Sequence, residues 1–223
     1  MLAVLWDDRK GTRVSQHDQS WKFATDIVSE PDAIQSARAQ SLELGVEPVS
    51  PAIGAQAAVI SAATAATSIL EVGTGVGVSG LWLLRGGTAA TLTSIDVEAD
   101  HQHSARSNFT DAGISPARVR LITGRARDVL PRMNENAYDV VFVDADPGGV
   151  IEYVEHALRL ARPGGTVLVA HALWKGRVPD PAQRDEVTTG FRTLVTEIAA
   201  SPAVVSALSP VGDGLLQLTK LGE

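Results

Sequence analysis

A glycine-rich run with an acid on each side is the part of the sequence whose residue types point most directly to chemistry. Residues 71–77 read Glu-Val-Gly-Thr-Gly-Val-Gly, and Gly80 follows. Glycine lets a backbone turn tightly and come close to a ligand where a Cβ would collide. Asp96 closes the next apolar run, where a carboxylate can accept both hydroxyl hydrogens of a ribose. The pattern predicts a cofactor site, and its spacing alone leaves open a dinucleotide fingerprint over Gly75–Gly80 or a glycine turn without a ligand.

Further acids and a histidine follow later apolar runs. Glu71 lies among the last residues of a strand that reads as buried, where a carboxylate is unfavourable unless it has a partner. Asp144 and Asp146 follow one apolar run, and His171 follows another. Because an imidazole can accept a proton near neutral pH, His171 is a candidate general base.

Short apolar runs alternate with longer amphipathic ones along most of the chain. Strands buried on both faces are predicted at Ser68–Val72, Leu92–Ile95, Val119–Thr123, Asp139–Val143 and Thr166–Ala170. Helices are predicted at Ser29–Leu44, Gly54–Ala66, Val78–Leu84, Glu98–Ala112, Ala126–Met133, Val150–Ala161 and Asp185–Ala200. The alternation predicts an α/β fold with a mostly parallel sheet, and Ala203–Leu208 with Leu215–Lys220 predicts a C-terminal antiparallel hairpin. In such a sheet the ligand lies beyond the carboxyl ends of the strands.

No repeat or linker divides the 223 residues, so a single domain spanning residues 1–223 is expected. Residues 1–48 are interpreted as an N-terminal extension that forms a lid or a dimer element, and residues 49–223 as the catalytic core. The first 28 residues read as polar and irregular, and residues 163–165, Pro-Gly-Gly, read as the stop after a helix.

Composition removes several classes of protein. The chain has no cysteine, which excludes a thiolate nucleophile and a Cys-ligated zinc site and favours a cytoplasmic location. With 19 Lys and Arg against 26 Asp and Glu, the net charge of −7 argues against nucleic acid as a partner. The uncharged residues 48–70 are too polar for a membrane span, and no secretory leader is read at the N-terminus.

Four segments together resemble the class I S-adenosylmethionine-dependent methyltransferases. Residues 71–77 resemble the first motif of that class, 94–98 the second, 138–146 the fourth-strand motif, and 160–166 the turn into the fifth strand. Within the class, residues 142–146, 171–176 and 210–215 are most similar to the catechol and caffeoyl-CoA O-methyltransferase group. The resemblance implies a doubly wound, Rossmann-like methyltransferase sheet and S-adenosylmethionine as cofactor.

The resemblance also implies which residues bind the cofactor. Gly73, Thr74 and Ser79 would hold its methionine part, although Ser79 could instead only cap the helix that starts there. Asp96 would bind the ribose, Val97 and Ala126 would flank the adenine, and Val49 would touch the cofactor from the N-terminal lid. The full set is Val49, Glu71, Gly73, Thr74, Gly75, Gly77, Ser79, Asp96, Val97, Ala126 and Asp144.

The metal ligands of that group are only partly present. Metal-dependent members place one Asp after the fourth strand and an Asp-Asn pair after the fifth. Asp144 matches the first ligand, but Ala170 and His171 stand at the other two positions, and Pro147 replaces the lysine that follows the first ligand. Alanine cannot coordinate, and imidazole suits Zn²⁺ or Fe²⁺ better than Mg²⁺. A divalent metal is therefore doubtful, and any metal would be held by Asp144 and His171.

His171 and Asp144 are the catalytic candidates, and both are expected to contact the substrate together with Trp174. One hypothesis makes His171, oriented by Asp144 or Asp146, the base that deprotonates a substrate hydroxyl; the alternative is a histidine that only caps carbonyls at the strand end. Trp174 could equally be a packed aromatic. Asp144 should lie near the amino group of the cofactor, where a carboxylate is electrostatically favoured.

The leading interpretation is an S-adenosylmethionine-dependent O-methyltransferase that acts on a small hydroxylated, phenolic acceptor. A second is a protein that binds S-adenosylmethionine but has lost or altered catalysis. A nucleic-acid methyltransferase ranks last, since residues 144–147 read Asp-Ala-Asp-Pro and no basic patch is visible. By analogy with the group, a homodimer is expected, with Trp6 and Trp21 among the candidate contacts.

Overall fold

A central sheet of seven strands organises the protein. The computed structural model describes residues 5–7, 12–14 and 16–222, and side chains from Gln19 onward. Two short strands, β1 (Leu5–Asp7) and β2 (Thr12–Val14), pair with each other outside the central sheet. The strands of the central sheet are β3 (Ser68–Val72), β4 (Thr91–Asp96), β5 (Val119–Thr123), β6 (Tyr138–Val143), β7 (Ala161–Val169), β8 (Val204–Ser209) and β9 (Leu215–Lys220).

The spatial order of the central sheet is β5-β4-β3-β6-β7-β9-β8. Strands β3 to β7 run parallel, whereas β9 is antiparallel to both β7 and β8. The predicted doubly wound α/β sheet with a closing antiparallel hairpin is confirmed. Because the order reverses beside β3, a crevice opens above that strand, where open α/β sheets bind ligands.

Helices cover both faces of this sheet. They are α1 (Gln16–Asp26), α2 (Asp32–Glu43), α3 (Pro51–Ala63), α4 (Val78–Gly86), α5 (Ala99–Asp111), α6 (Ala126–Val129), α7 (Val150–Leu160) and α8 (Glu186–Ala200). One apolar core includes residues of α2 to α5, and the other includes residues of α6 to α8. Ile69 of β3 packs into the first core and Leu70 into the second, which explains why this strand reads as continuously apolar.

Several elements differ from the sequence prediction: for example, the helix predicted at Ala126–Met133 ends at Val129. Three further differences have a physical reason or change the reading of a segment. Residues 16–26 form a helix where irregular chain was expected, and two short strands precede it. The third helix begins at Pro51, three residues early, because the side chain of Ser50 accepts a hydrogen bond from the amide of Ile53 and proline suits the first helical turn. Strand β7 starts at Ala161, so residues 163–165 lie within the strand across a register shift rather than forming a stop.

The parallel register aligns the strand ends that carry the predicted site. Val72 pairs with Ile95 on one side and with Val143 on the other, and Val143 pairs with Val169. The residues that follow these four positions therefore emerge at one edge of the sheet. Within the part of the chain that the structure describes, none of the helices is both long and apolar enough to cross a membrane.

Candidate active site

The turn after β3 is shaped by glycines, and one of them, Gly73, cannot be replaced without movement of the backbone. Gly73 has a φ of 97°, and a Cβ added there would lie 1.8 Å from the carbonyl oxygen of Asp144. The amide of Gly73 donates to the carbonyl of Ile95, and the amide of Asp144 donates to the carbonyl of Val72. Gly77, with a φ of 93°, is the N-cap of α4. The turn therefore lies directly against the end of β6, and its conformation requires glycine.

A chain of buried hydroxyls links this turn to Glu71. The Ser94 hydroxyl donates to Oε2 of Glu71 at 2.6 Å, and the Thr74 hydroxyl lies 2.6 Å from Ser94 Oγ. The hydroxyl hydrogen of Ser94 is donated to Glu71, so Thr74 donates the hydrogen bond between Thr74 and Ser94. Oε1 of Glu71 has no hydrogen-bond partner although the side chain is 0% exposed. Burial raises the pKa of Glu71 to about 7, and the nearby hydroxyls of Ser79 and Ser94 oppose this rise.

Asp96 joins the glycine turn to the end of β4. Its Oδ2 accepts the amide of Gly75 at 2.8 Å and its Oδ1 accepts the amide of Glu98 at 2.9 Å. These two bonds fix the orientation of the carboxylate, and each oxygen keeps a lone pair for a further donor. The arrangement leaves Asp96, the last residue of β4, with acceptor capacity toward a hydroxyl donor.

A cavity of about 600 Å³ opens above these residues, within the size range of small-molecule sites. Most of the predicted cofactor-binding residues line it: Val49, Gly73, Thr74, Gly75, Ser79, Asp96, Val97, Ala126 and Asp144. Trp174 lines it as well. Glu71 and Gly77 are not among the lining residues; the first lies buried beneath the turn and the second caps α4.

The side chain of His171 lies between two carboxylates. Its Nδ1 is 3.3 Å from Oδ2 of Asp213, within hydrogen-bond distance, and its Nε2 is 3.5 Å from Oδ1 of Asp144. The expected alternative partner Asp146 is not one of them, and the ring does not cap a strand-end carbonyl in the described chain. The side chain is 18% exposed and lines a small cavity of about 20 Å³ rather than the large one.

Asp144 connects the two cavities, since it lines both of them. Burial raises the pKa of this carboxyl, the nearby His171 opposes the shift and Glu47 adds to it. An acid that resists ionisation beside an imidazole can exchange a proton with that imidazole. Asp144 therefore lies between His171 and the large cavity, which His171 does not itself line.

The donor set at this position does not suit the divalent cation that the family resemblance implies. Ala170 offers no ligand atom, and the two carboxylates flank opposite nitrogens of His171, so their oxygens do not converge on one point with a ring nitrogen. In the described part of the chain, no three His, Asp or Glu side chains gather as a metal site would require.

Trp174 packs against the second core while one side faces the large cavity. Its ring stacks on Phe191 with centroids 5.4 Å apart and an interplanar angle of 17°. The next residue, Lys175, reaches Oε2 of Glu47 at 3.1 Å, and this exposed ion pair joins the turn after β7 to the loop before α3. Trp174 is thus both a packed aromatic and a wall of the cavity.

Several residues of the site were not identified from the sequence. Asp213, which contacts His171, was included only in the run 210–215, whose glycines read as a turn. Glu47, Tyr153 and Arg127 line the large cavity, and nothing in their local sequence distinguishes them from ordinary polar or packing residues. The observed topology explains the position of Asp213, because β9 is the antiparallel neighbour of β7 and its first residues lie beside the end of that strand.

Comparison with protein families shows a match over most of the chain. The sequence model of the O-methyltransferase family matches residues 37–221. A protein of Mycobacterium sp. (strain JLS), assigned by its name to the O-methyltransferases, is 42% identical over 211 residues, which cover 94% of this chain and 96% of that protein.

Solved structures of similar fold include complexes with cofactor. The O-methyltransferase TomG from Streptomyces achromogenes, solved in complex with SAM, has a TM-score of 0.79 and 30% identity, covering 92% of this chain and 98% of that one. The O-methyltransferase from Bacillus cereus in complex with SAH has a TM-score of 0.80 and 27% identity, covering 91% and 99%.

Proposed function

This chain belongs to the O-methyltransferase family, and on that premise we propose that it transfers the methyl group of S-adenosylmethionine (SAM) to an oxygen of a small hydroxylated, phenolic acceptor. The observation that carries the proposal is the position of Asp144. This carboxylate faces the large cavity above the glycine turn and also adjoins His171.

The residues around the large cavity fit SAM, which supplies an electrophilic methyl group when bound. The Gly73 turn exposes backbone where no side chain fits, and Asp96 keeps acceptor capacity for the ribose. Asp144 suits the cationic methionine end, because a carboxylate is favoured beside an ammonium or a sulfonium. We assign Glu71, buried beneath the turn, to the support of that end through Ser94 and Thr74. We assign Val97 and Ala126 to the adenine, Val49 to the lid side and Ser79 to the methionine end, with Thr74, Gly75 and Gly77 shaping the turn.

We assign acceptor activation to Asp144 and His171, with Trp174 as a wall for the acceptor. Asp144 would accept the hydrogen bond of the acceptor hydroxyl, and His171 would hold the proton released as the new oxygen–carbon bond forms. General-base help of this kind contributes on the order of 10²–10⁴-fold to a rate. Holding the acceptor in line with the methyl group supplies several kcal/mol more. A metal has no suitable ligand set here, so no step is assigned to one.

We also propose a class of partner, a location and an oligomeric state for the protein. A small-molecule acceptor rather than nucleic acid is supported by the net charge of −7. A cytoplasmic location is supported by the absence of cysteine from the sequence. We propose a homodimer in which the N-terminal segment, including Trp21, forms part of the interface; Trp21 is 43% exposed, and the side chain of Trp6 lies outside the described residues.

A methyl-transfer assay tests this function. Radiolabelled SAM is incubated with the protein and a panel of catechols and phenols, with and without excess chelator, and SAM binding is measured in parallel by calorimetry. We expect binding, transfer to at least one phenolic oxygen, and equal rates in chelator. Label appearing in RNA or DNA instead of a phenol would contradict the acceptor class.

A second candidate function is SAM binding without methyl transfer. It is favoured by one observation, the replacement of the expected metal ligand and lysine by Ala170 and Pro147. In the same assay this candidate predicts cofactor binding with no labelled product from any acceptor.

A further inference from the structure

The side chain of Asp213 contacts both the turn after β7 and the ring of His171. Its Oδ1 accepts the backbone amide of Lys175 at 2.6 Å, and its Oδ2 lies 3.3 Å from Nδ1 of His171. The side chain is 23% exposed, so water competes only partly for these contacts.

Backbone hydrogen bonds join the turn after β7, residues 171–175, to the turn before β9, residues 210–214. The amide of Leu173 donates to the carbonyl of Asp213, and the amide of Ala172 donates to the carbonyl of Gly214. Gly214 has a φ of 88°, and a Cβ there would lie 2.6 Å from the amide nitrogen of Leu173. His171 itself has a φ of 56°, a left-handed conformation that a residue with a side chain adopts only when its surroundings require it. The position of His171 is therefore imposed by the turn that carries Asp213.

A carboxylate oxygen can only accept a hydrogen bond, so Nδ1 of His171 must carry the hydrogen that Asp213 receives. In a neutral imidazole the other nitrogen, Nε2, then has a free lone pair. Nε2 faces Asp144 at 3.5 Å, toward the cavity where the acceptor is proposed to bind. The tautomer that Asp213 selects is the one able to take a proton from that side.

We propose that Asp213 is a positioning residue for methyl transfer: it fixes the Nδ1–H tautomer and the ring orientation of His171, so that Nε2 is presented to Asp144. This inference rests on the proposed function, because it gives a purpose to the proton acceptor assigned there. Asp213 acts through His171 and touches neither the cofactor nor the acceptor.

The substitution Asp213→Asn separates this role from a structural one. The Asn side-chain carbonyl can still accept the Lys175 amide, but its amide group then faces Nδ1 and donates where the carboxylate accepted. His171 is thereby driven to the opposite tautomer, with hydrogen on Nε2, while the turn keeps its bond. An amide beside a catalytic imidazole is known to select the wrong tautomer while leaving the geometry intact. Asp180→Asn, an isosteric change on an exposed acid that does not contact His171, is the control.

The tautomer is read by long-range ¹H–¹⁵N NMR of protein labelled on histidine, at a pH where the ring is neutral. The chain has five histidines, and the His171 signals are those lost in His171→Ala. We expect Nδ1–H in the native protein and in Asp180→Asn, and Nε2–H in Asp213→Asn. Nε2–H in the native protein would overturn the proposal, whatever the acceptor assay shows.

Kinetics provide the second readout, with catechol as the acceptor probe. Asp213→Asn should lower kcat at least 100-fold while KM for SAM stays within threefold, and it should have no further effect in a His171→Ala background. An equal fall of kcat in both backgrounds would show that Asp213 matters only for structure and would overturn the proposal. If the native protein transfers methyl to no phenol, the proposed function fails, and the NMR result still decides the role of Asp213.

Discussion

At the level of single residues, the buried carboxyl of Glu71 has its protonation set by the fold. The side chain is 0% exposed and one oxygen has no partner. Burial raises its pKa from 4.5 to about 7. The native protein therefore holds a proton there at pH values where the unfolded chain has released it, and the associated stability is present below pH 4.5 and lost as pH rises through 7.

Glu71→Gln should remove this dependence. In urea denaturation between about pH 5 and pH 8, the free energy of unfolding of the native protein should fall relative to the variant by about 3 kcal/mol, because glutamine cannot ionise. Measuring the difference between the two proteins at each pH cancels the titration of all other groups. Parallel pH profiles would contradict a raised pKa of Glu71.

Some residues of the site could be predicted from the sequence and others could not. Glu71 in β3, Asp96 at the end of β4 and Asp144 after β6 could be placed because each one lies at the end of an apolar run. Asp213 could not be assigned, since its contact with His171 joins positions 42 residues apart through a hairpin whose neighbour in the sheet is unknown before folding. The partner of an imidazole is a property of tertiary structure and not of local pattern.

At the level of elements, the turn from β3 into α4 depends on a close approach of two backbones. A Cβ at Gly73 would lie 1.8 Å from the Asp144 carbonyl oxygen, and the positive φ adds strain. Gly113, after α5, has a comparable φ of 72° but no atom within 4 Å of the same Cβ position. An alanine would therefore be strained by the positive φ at both positions, but would collide with another backbone only at Gly73.

Gly73→Ala should abolish detectable SAM binding in calorimetry and lower the unfolding free energy by about 3 kcal/mol or more, because the turn and the end of β6 must move apart. Gly113→Ala should lower it by only about 1–2 kcal/mol, the strain of a left-handed alanine, and leave SAM binding unchanged. Similar SAM affinities for the two variants would contradict this account of the turn.

The starts of β3 and β6 are joined by a second buried acid. Asp139 accepts the amides of Thr67 and Ser68 at 2.7 and 2.9 Å and pairs with Arg162. Although burial opposes the shift, these hydrogen bonds lower the pKa of Asp139 to about 2. The stability that this group supplies is present above its ordinary pKa of 3.8 and is lost as pH falls through 2.

Asp139→Asn should therefore lower the free energy of unfolding by about 1–2 kcal/mol at pH 7, with screening at the partly exposed Arg162 limiting the effect, and by much less near pH 2. Asp26→Asn, which breaks the exposed pair with Lys22, is the control and should change stability by less than about 0.5 kcal/mol. Denaturation curves at the two pH values measure both. An equal loss at pH 7 and pH 2 would contradict the role of the ionised carboxylate.

At the level of the whole molecule, the order β5-β4-β3-β6-β7-β9-β8 brings the chemistry together. Ser68–Val72 could be located from sequence because a strand buried on both faces is short and continuously apolar. Val119–Thr123 also agrees with prediction at both ends, but the expected burial on both faces was wrong, because β5 is an edge strand whose residues are half-buried or exposed. The helix at residues 16–26 was missed because its sequence is polar on average and carries no long apolar run. Burial patterns predict what packs against the sheet and not what lies outside it.

SAM should stabilise the folded protein as a whole, since the cavity that fits it is built from the loops after several strands. A ligand at 100 times its Kd adds about 2.7 kcal/mol to the free energy of unfolding. Thermal unfolding with increasing SAM should show a rising Tm. The Gly73→Ala variant should show no rise; a rise of the same size in that variant would contradict the location of the cofactor.

The central claim is that Asp144 and His171 activate an acceptor hydroxyl for methyl transfer. The most direct test compares kcat of the native protein and of His171→Ala for transfer from labelled SAM to a phenolic acceptor, in the presence of chelator. The account predicts an active native protein and a variant slower by at least about 100-fold, with SAM binding by the two proteins equal within threefold. Equal kcat values for the two proteins would contradict it.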